Sequence, residues 1–287
     1  MRRRVRGVGR RLAGVALAAG LATVAPGVST TATAVPPREL TAVTFNIAHG
    51  HLAGNDLARI AAVLRPVRAD VIALQEVDRS WSRSGSVDQA AELARRLGMR
   101  HVFDSNLDCG PRDQDGDGYC RYGTTILSRH PVVPGSVRAY VLPTPAAEEP
   151  RGLARVTLNV AGRPVDVFNT HLSFVEPTRV RQVEAVKARL AGLRRPFVLM
   201  GDLNALPFHL EMVSLRRTTR DAAIAAGQPG LRTTNLARPV RLDYIMLPRP
   251  PLTGPPARVE ALDARVVYAP RVSDHRPLIA RLRLPAT

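Results

Sequence analysis

A set of short β-like runs, each stopping at a carboxylate, an amide or an imidazole, limits most strongly how this chain can fold. "LTAVTFN" closes on Asn46, "DVIALQE" on Glu76, "VDVFNTH" on Asn169 and His171, and "FVLMGD" on Asp202 with Asn204 two positions on. Asp274 and His275 stand immediately before "PLIARLRL", and "TTILS", "ARVTLNV" and "LDYIML" are further runs of the same kind. Such runs, bounded by turn formers, read as strands. A single Asp or Asn after a strand is an ordinary turn residue. The same chemistry at one strand end after another points instead to tips that converge at one edge of the sheets. A carboxylate buried there is costly unless it is paired or metal-bound.

Two segments carry the helical period instead. "NDLARIAAVLRPV" sets Leu57, Ile60, Ala61 and Leu64 on one face behind an Asn55 or Asp56 cap, and "RVRQVEAVKARLAGL" does the same with Val183, Val186, Leu190 and Leu193. Their apolar stripes are suited to cover a sheet. With 287 residues, 45% of them hydrophobic, the chain has enough apolar material for a core, which excludes a disordered class. No internal repeat or long linker divides it, so one domain over residues 35–287 is expected.

The first 34 residues read as an export leader. Six arginines lie within the first eleven positions, followed by the apolar "LAGVALAAGLATVA" and the small-residue tripeptide "ATA", so cleavage is expected after Ala34. Arg10 and Arg11 leave a twin-arginine route open, and an uncleaved anchor is the alternative. The mature protein is expected to be secreted, without a membrane span, and monomeric. Without the leader, 35 basic residues face 24 acidic ones, a net charge of +11 that favours acidic partners such as DNA or RNA. In an exported chain, Cys109 and Cys120 are expected to pair, stapling the loop "CGPRDQDGDGYC".

The segments "FNIAHG", "LQEVDRS", "YGTTILSRHP", "FNTHLS", "MGDLNALP", "LDYIM" and "VSDHRP", in this order and spacing, resemble the endonuclease/exonuclease/phosphatase superfamily, the deoxyribonuclease-I-like metal-dependent phosphoesterases. The resemblance runs from about Leu40 to the C-terminus. It implies a four-layer α/β sandwich, with two mainly antiparallel sheets packed face to face and helices outside. It also implies metal-assisted attack of water on a phosphoester. Glu76 would be the main ligand of Mg²⁺, with Mn²⁺ as a substitute, and Asn46 and Asp274 would complete or support that shell. Asp202 would orient or deprotonate the water, and Asn204 would contact the phosphate. His171 and His275 would donate to the phosphate, with Asp243 as the partner of His275. Either Asp202 or the Asp243–His275 pair could be the general base.

Weaker matches are Tyr122, Arg151 and Asn169 as substrate-binding residues. Each has a plain alternative: a half-buried strand aromatic for Tyr122, a solvated charge for Arg151, a supporting role for Asn169. His49, His51, His101, His130 and His209 are read as structural. Asp113, Asp115 and Asp117 resemble half of a Ca²⁺ loop, but Thr124 stands where a bidentate Glu belongs. Among substrates, nucleic acid leads because of the positive charge. A sphingomyelinase-like lipid phosphodiesterase or an inositol-phosphate phosphatase comes next, and a catalytically silent binding module on the same fold is the reading of another class.

Overall fold

Side chains of a strand alternate between two faces, so a strand whose faces are both buried needs apolar residues at nearly every position. In "LTAVTFN", Leu40 and Ala42 enter one core while Val43 and Phe45 enter another. In "FVLMGD", Val198 and Met200 join the first core and Phe197 and Leu199 a third. Three cores separate four layers, and the fold follows from that pattern.

The computed structural model describes residues 38–108, 120–249 and 259–285, within the compact unit Val35–Thr287. The strands are β1 (Arg38–Asn46), β2 (Val71–Arg79), β3 (Arg100–Asp108), β4 (Arg121–Ser128), β5 (Arg138–Val141), β6 (Gly152–Val160), β7 (Arg163–His171), β8 (Phe197–Asp202), β9 (Thr219–Asp221), β10 (Asp243–Pro248), β11 (Glu260–Val266) and β12 (Leu278–Leu284). The helices are α1 (Leu57–Leu64), α2 (Gln89–Leu97), α3 (Glu176–Leu190), α4 (Leu210–Thr218) and α5 (Ala222–Ala225). One six-stranded sheet has the order β11-β12-β1-β2-β4-β3 and the other β5-β6-β7-β8-β10-β9. Within them β1–β2 and β7–β8 pair in parallel, and the other pairs are antiparallel.

Helix α1 is capped by Asp56, whose side chain accepts the Ala58 N–H, and it buries Leu57, Ile60, Ala61 and Leu64 against the outer face of the first sheet. Helix α3 buries Val183, Val186 and Leu190 on the second, with Leu193 packed just beyond its end. No helix among the described residues is long and apolar enough to cross a membrane. Cys120 is buried directly before β4, while Cys109 and the acidic loop with Asp113, Asp115 and Asp117 lie outside the described residues.

The second β-like run does not stop at Glu76. Strand β2 continues to Arg79 through a bulge in its pairing with β4 between Leu74 and Val77, and Glu76 takes φ 52°. A bulge inserts one unpaired residue and re-aims a side chain. Asn169 of the opposite sheet makes this one stable. Its Nδ2 donates to the carbonyls of Leu74 and Thr125, both at 2.9 Å, and its Oδ1 accepts from Gln75 Nε2 at 2.7 Å. Of its two sequence readings, weak substrate contact and support of the site, the second matches the geometry, because Asn169 is fully buried and its amide is spent on joining the two sheets. Asn169→Ala should therefore orphan two carbonyls and a buried amide and cost about 3 kcal/mol of stability. Urea unfolding followed at Trp81 would show a lowered midpoint, and an unchanged midpoint would refute the bridging role.

Candidate active site

The hydrogen-bonding ladder of the second sheet delivers three functional groups side by side. In register, His171 of β7 stands opposite Asp202 of β8, and Asp202 opposite Asp243 of β10. Strand β8 runs close against β7 at Gly201, where any Cβ would strike the carbonyl oxygen of Thr170. Asn46, at the end of β1, comes from the other sheet. Its Nδ2 donates to Glu76 Oε1 (2.9 Å) and to Asp202 Oδ2 (3.1 Å), and its Oδ1 accepts the Ala48 N–H (2.9 Å). Asn46 thus bridges two carboxylates with its NH₂, where the sequence reading has it offering an oxygen to the metal.

His275 donates from Nδ1 to Asp243 Oδ2 at 2.8 Å, and its Nε2 lies 3.6 Å from Asp202 Oδ2. Burial opposes a charge on this ring, but Asp243 and Asp202 outweigh it and push its pKa up to about 10. His171 has the opposite fate. Burial, reinforced by the Arg151 guanidinium, pushes it down to about 3, so this imidazole is neutral. Arg151 Nη1 lies 2.9 Å from His171 Nδ1. A guanidinium can only donate, so Nδ1 accepts and a neutral ring carries its proton on Nε2, which lies 3.5 Å from the acceptor Asp202 Oδ2. Burial raises Asp202 well above the usual carboxylate range. Its Oδ1 accepts the Asn204 N–H at 2.9 Å, and Asn204, at φ 49°, anchors its own amide on the Leu172 carbonyl.

Arg151 is therefore a buried part of the site and not a solvated charge; only 6% of it is exposed, and it also pairs with Glu149. Tyr122 is buried beside it, and burial together with the Glu76 charge keeps its hydroxyl protonated. Asp274 is exposed. Its carboxylate accepts from Ser273 Oγ at 3.3 Å, and the same hydroxyl reaches the Asn46 carbonyl at 2.7 Å, which ties this loop to the end of β1.

The donor set suits a divalent cation. Asp202, Asp243 and His275 bring ligand atoms within 4.8 Å of one another, a cluster in which the charged His275 leaves the carboxylates as the available donors. Burial alone would raise Glu76, yet the neighbouring His49 imidazole and the Asn46 amide hold it at about 2, an ionised carboxylate with a quarter of its side chain open to solvent. His49, assigned a structural part by sequence, has its Nδ1 3.6 Å from Glu76 Oε2. The available signal was its position three residues after Asn46 in "FNIAHG".

Two exposed phenylalanines also escaped the sequence reading. Phe174 and Phe208, 74% and 72% exposed, stand on the loops just beyond His171 and Asn204. Arg179 joins these loops, donating to the Phe174 carbonyl (2.9 Å) and to Glu211 Oε1 (2.7 Å) and lying 3.3 Å from His209 Nδ1. Single aromatic residues in loops have no periodicity to betray them.

The "Endonuclease/Exonuclease/phosphatase family" matches residues 43–275. An endonuclease/exonuclease/phosphatase from Beutenbergia cavernae is 28% identical, with a TM-score of 0.68 over 86% of this chain and 72% of that one. The mannosyl-6-phosphatase Bt3783 of Bacteroides thetaiotaomicron shares the fold at 17% identity, with a TM-score of 0.59 over 85% of this chain and 99% of that one. The human Nocturnin catalytic domain shares it at 18% identity, with a TM-score of 0.63 over 86% and 95%. No curated protein sequence matches. With the family's order of segments, its two-sheet sandwich and a buried carboxylate–imidazole cluster at the strand tips, this chain belongs to the endonuclease/exonuclease/phosphatase family of metal-dependent phosphoester hydrolases.

Proposed function

We propose that the protein is an exported phosphodiesterase acting on nucleic acid, DNA or RNA, with Mg²⁺ as its cation and Mn²⁺ as a substitute. The observation that carries the reading is a single buried carboxylate, Asp202, flanked by one neutral and one cationic imidazole. Groups whose environments drive their protonation apart are an acid–base pair by construction. Glu76 would hold the cation, positioned by Asn46 and supported by Asp274. When bound, such a cation neutralises charge on the phosphoryl oxygens.

The chain's own groups perform the remaining work. The His275 imidazolium, fixed by Asp243, donates to a phosphoryl oxygen as negative charge builds. His171 donates from Nε2 without adding a charge of its own, because Arg151 holds its Nδ1. Asp202 takes the proton of the attacking water. Its burial makes it a stronger base than an ordinary carboxylate, while His275, already protonated, is unsuited to that part. Asn204 keeps Asp202 in place through its backbone N–H. The Cys109–Cys120 disulfide, the export leader and Ca²⁺ at the acidic loop belong to the same reading of an extracellular enzyme.

The net charge of +11 beyond Ala34 supports a polyanionic substrate, and the exposed Phe174 and Phe208 are suited to stack on bases. The same two rings favour the second reading, a lipid phosphodiesterase, since exposed apolar side chains also suit a membrane surface.

Chelation should abolish turnover, and Mg²⁺ or Mn²⁺ should restore it; full activity in chelator would sink the mechanism. Asp202→Ala and His275→Ala should each lose about a hundredfold or more in kcat while remaining folded by circular dichroism. Asp263→Ala, on the exposed edge strand β11, should be near normal. Near-normal rates in both site variants would remove these residues from the chemistry. For substrate class, the KM for long DNA or RNA should rise steeply between low and moderate salt, while that for a small artificial diester hardly changes. A flat response together with efficient cleavage of sphingomyelin vesicles would promote the lipid reading.

A further inference from the structure

Just past Asn46 the backbone enters an unfavourable region and stays there. Ala48 and His49 take φ of 45° and 43°, followed by Gly50 at 80°. Only the glycine is at ease with such angles, and two side-chain-bearing residues in succession persist there only if their surroundings impose it. Two amides impose it here. Asn46 Oδ1 accepts the Ala48 N–H, and Gln89 of α2 donates from Nε2 to the His49 carbonyl at 2.7 Å. Gln89 is itself fixed, its Oε1 accepting the Asp78 N–H at 2.9 Å.

The outcome is a specific juxtaposition. His49 Nδ1 is buried, has no hydrogen-bond partner, and lies 3.6 Å from Glu76 Oε2. That separation is longer than an N–H···O bond. Glu76 reaches the same point by a separate distortion, the bulge in β2 with its φ of 52°. Two strained segments thus bring an imidazole nitrogen and a carboxylate oxygen to 3.6 Å, within ion-pair reach but too long for a good hydrogen bond. Two metal–ligand bonds of roughly 2.1 Å, meeting at about 90–120°, hold their donors about 3.0–3.6 Å apart.

We propose that His49 Nδ1 is a ligand of the cation held by Glu76, and that this mixed nitrogen–oxygen site binds first-row divalent ions such as Mn²⁺ more tightly than the same site without the imidazole would. The inference rests on the reading of Glu76 as the metal-holding carboxylate. Magnesium takes oxygen donors and gains little from an imidazole, whereas the first-row ions accept nitrogen readily. The alternative part for His49, a simple prop for the Glu76 carboxylate, requires no contact with the ion.

Pulsed electron paramagnetic resonance of Mn²⁺ added to the metal-free full chain separates the two. Nitrogen-14 modulation from a bound imidazole should appear in the parent and in His51→Gln and vanish in His49→Gln. Titration calorimetry should show His49→Gln binding Mn²⁺ about tenfold more weakly, with Mg²⁺ affinity nearly unchanged. Mn²⁺ bound by the parent without nitrogen modulation, or modulation that survives in His49→Gln, would overturn the ligand assignment and leave the Glu76 site standing. Failure of the parent to bind Mn²⁺ at all would overturn both. The parent spectrum decides even if His49→Gln does not fold.

Discussion

The site depends on one amide. Asn46 leaves the first sheet, reaches across to Asp202 of the second, and holds Glu76 with the other proton of the same NH₂ group. Two carboxylates joined to one amide, Asp202 buried and Glu76 partly so, repel each other. A neutral donor between them lowers that cost without cancelling the negative potential a cation needs. The geometry exists only because the sheets are packed face to face with β1 and β8 near the centre of each. Asn169 performs the matching task one layer down, closing the carbonyls that the β2 bulge leaves open. The bulge, the bridge and the carboxylate it aims form one unit, so the catalytic apparatus is also part of what joins the sheets.

Around that unit the protein separates two histidines of identical chemistry. His275 is enclosed by carboxylates and stays charged, while His171 is pressed against Arg151 and stays neutral. Beside a phosphoryl group a second imidazolium would tighten the ground state without favouring the transition state, and the neutral His171 avoids that. Arg151 reaches the substrate region only through His171, and its own charge is shared with Glu149. An arginine in a strand-approaching loop thus does its work by fixing a tautomer.

How much of this was legible follows a physical rule. The strands foreseen from the sequence, β1, β2, β4, β6, β7, β8, β10 and β12, are the interior strands, buried on both faces and so written as dense apolar runs. The strands not foreseen, β3, β5, β9 and β11, are the four sheet edges. Strand β3, "RHVFDSNLD", is half-exposed along its length, and β5 is only four residues long. Edge strands carry polar residues to discourage further pairing, which erases the pattern. Helix α4 was hidden by a short apolar face, Met212 and Leu215, whereas α2 carries a full stripe of Ala90, Leu93, Ala94 and Leu97 that the helical period does mark.

Which residues meet is written locally. Asn46, His171, Asp202, Asn204, Asp243 and His275 are each marked by a strand end or its neighbouring turn, and Glu76 by the close of an apolar run inside β2, a local signal that survives without any knowledge of the fold. It could not determine what each residue does once there. The direction of the Asn46 amide, the opposite charge states of His171 and His275, the burial of Asn169 and the approach of His49 to Glu76 were decided by tertiary structure alone. Protonation and hydrogen-bond direction depend on neighbours from both sheets, 156 positions apart in the case of Asn46 and Asp202, and on how little water remains between them. A strand end announces a polar group, but only the packed interior sets its charge and its partner.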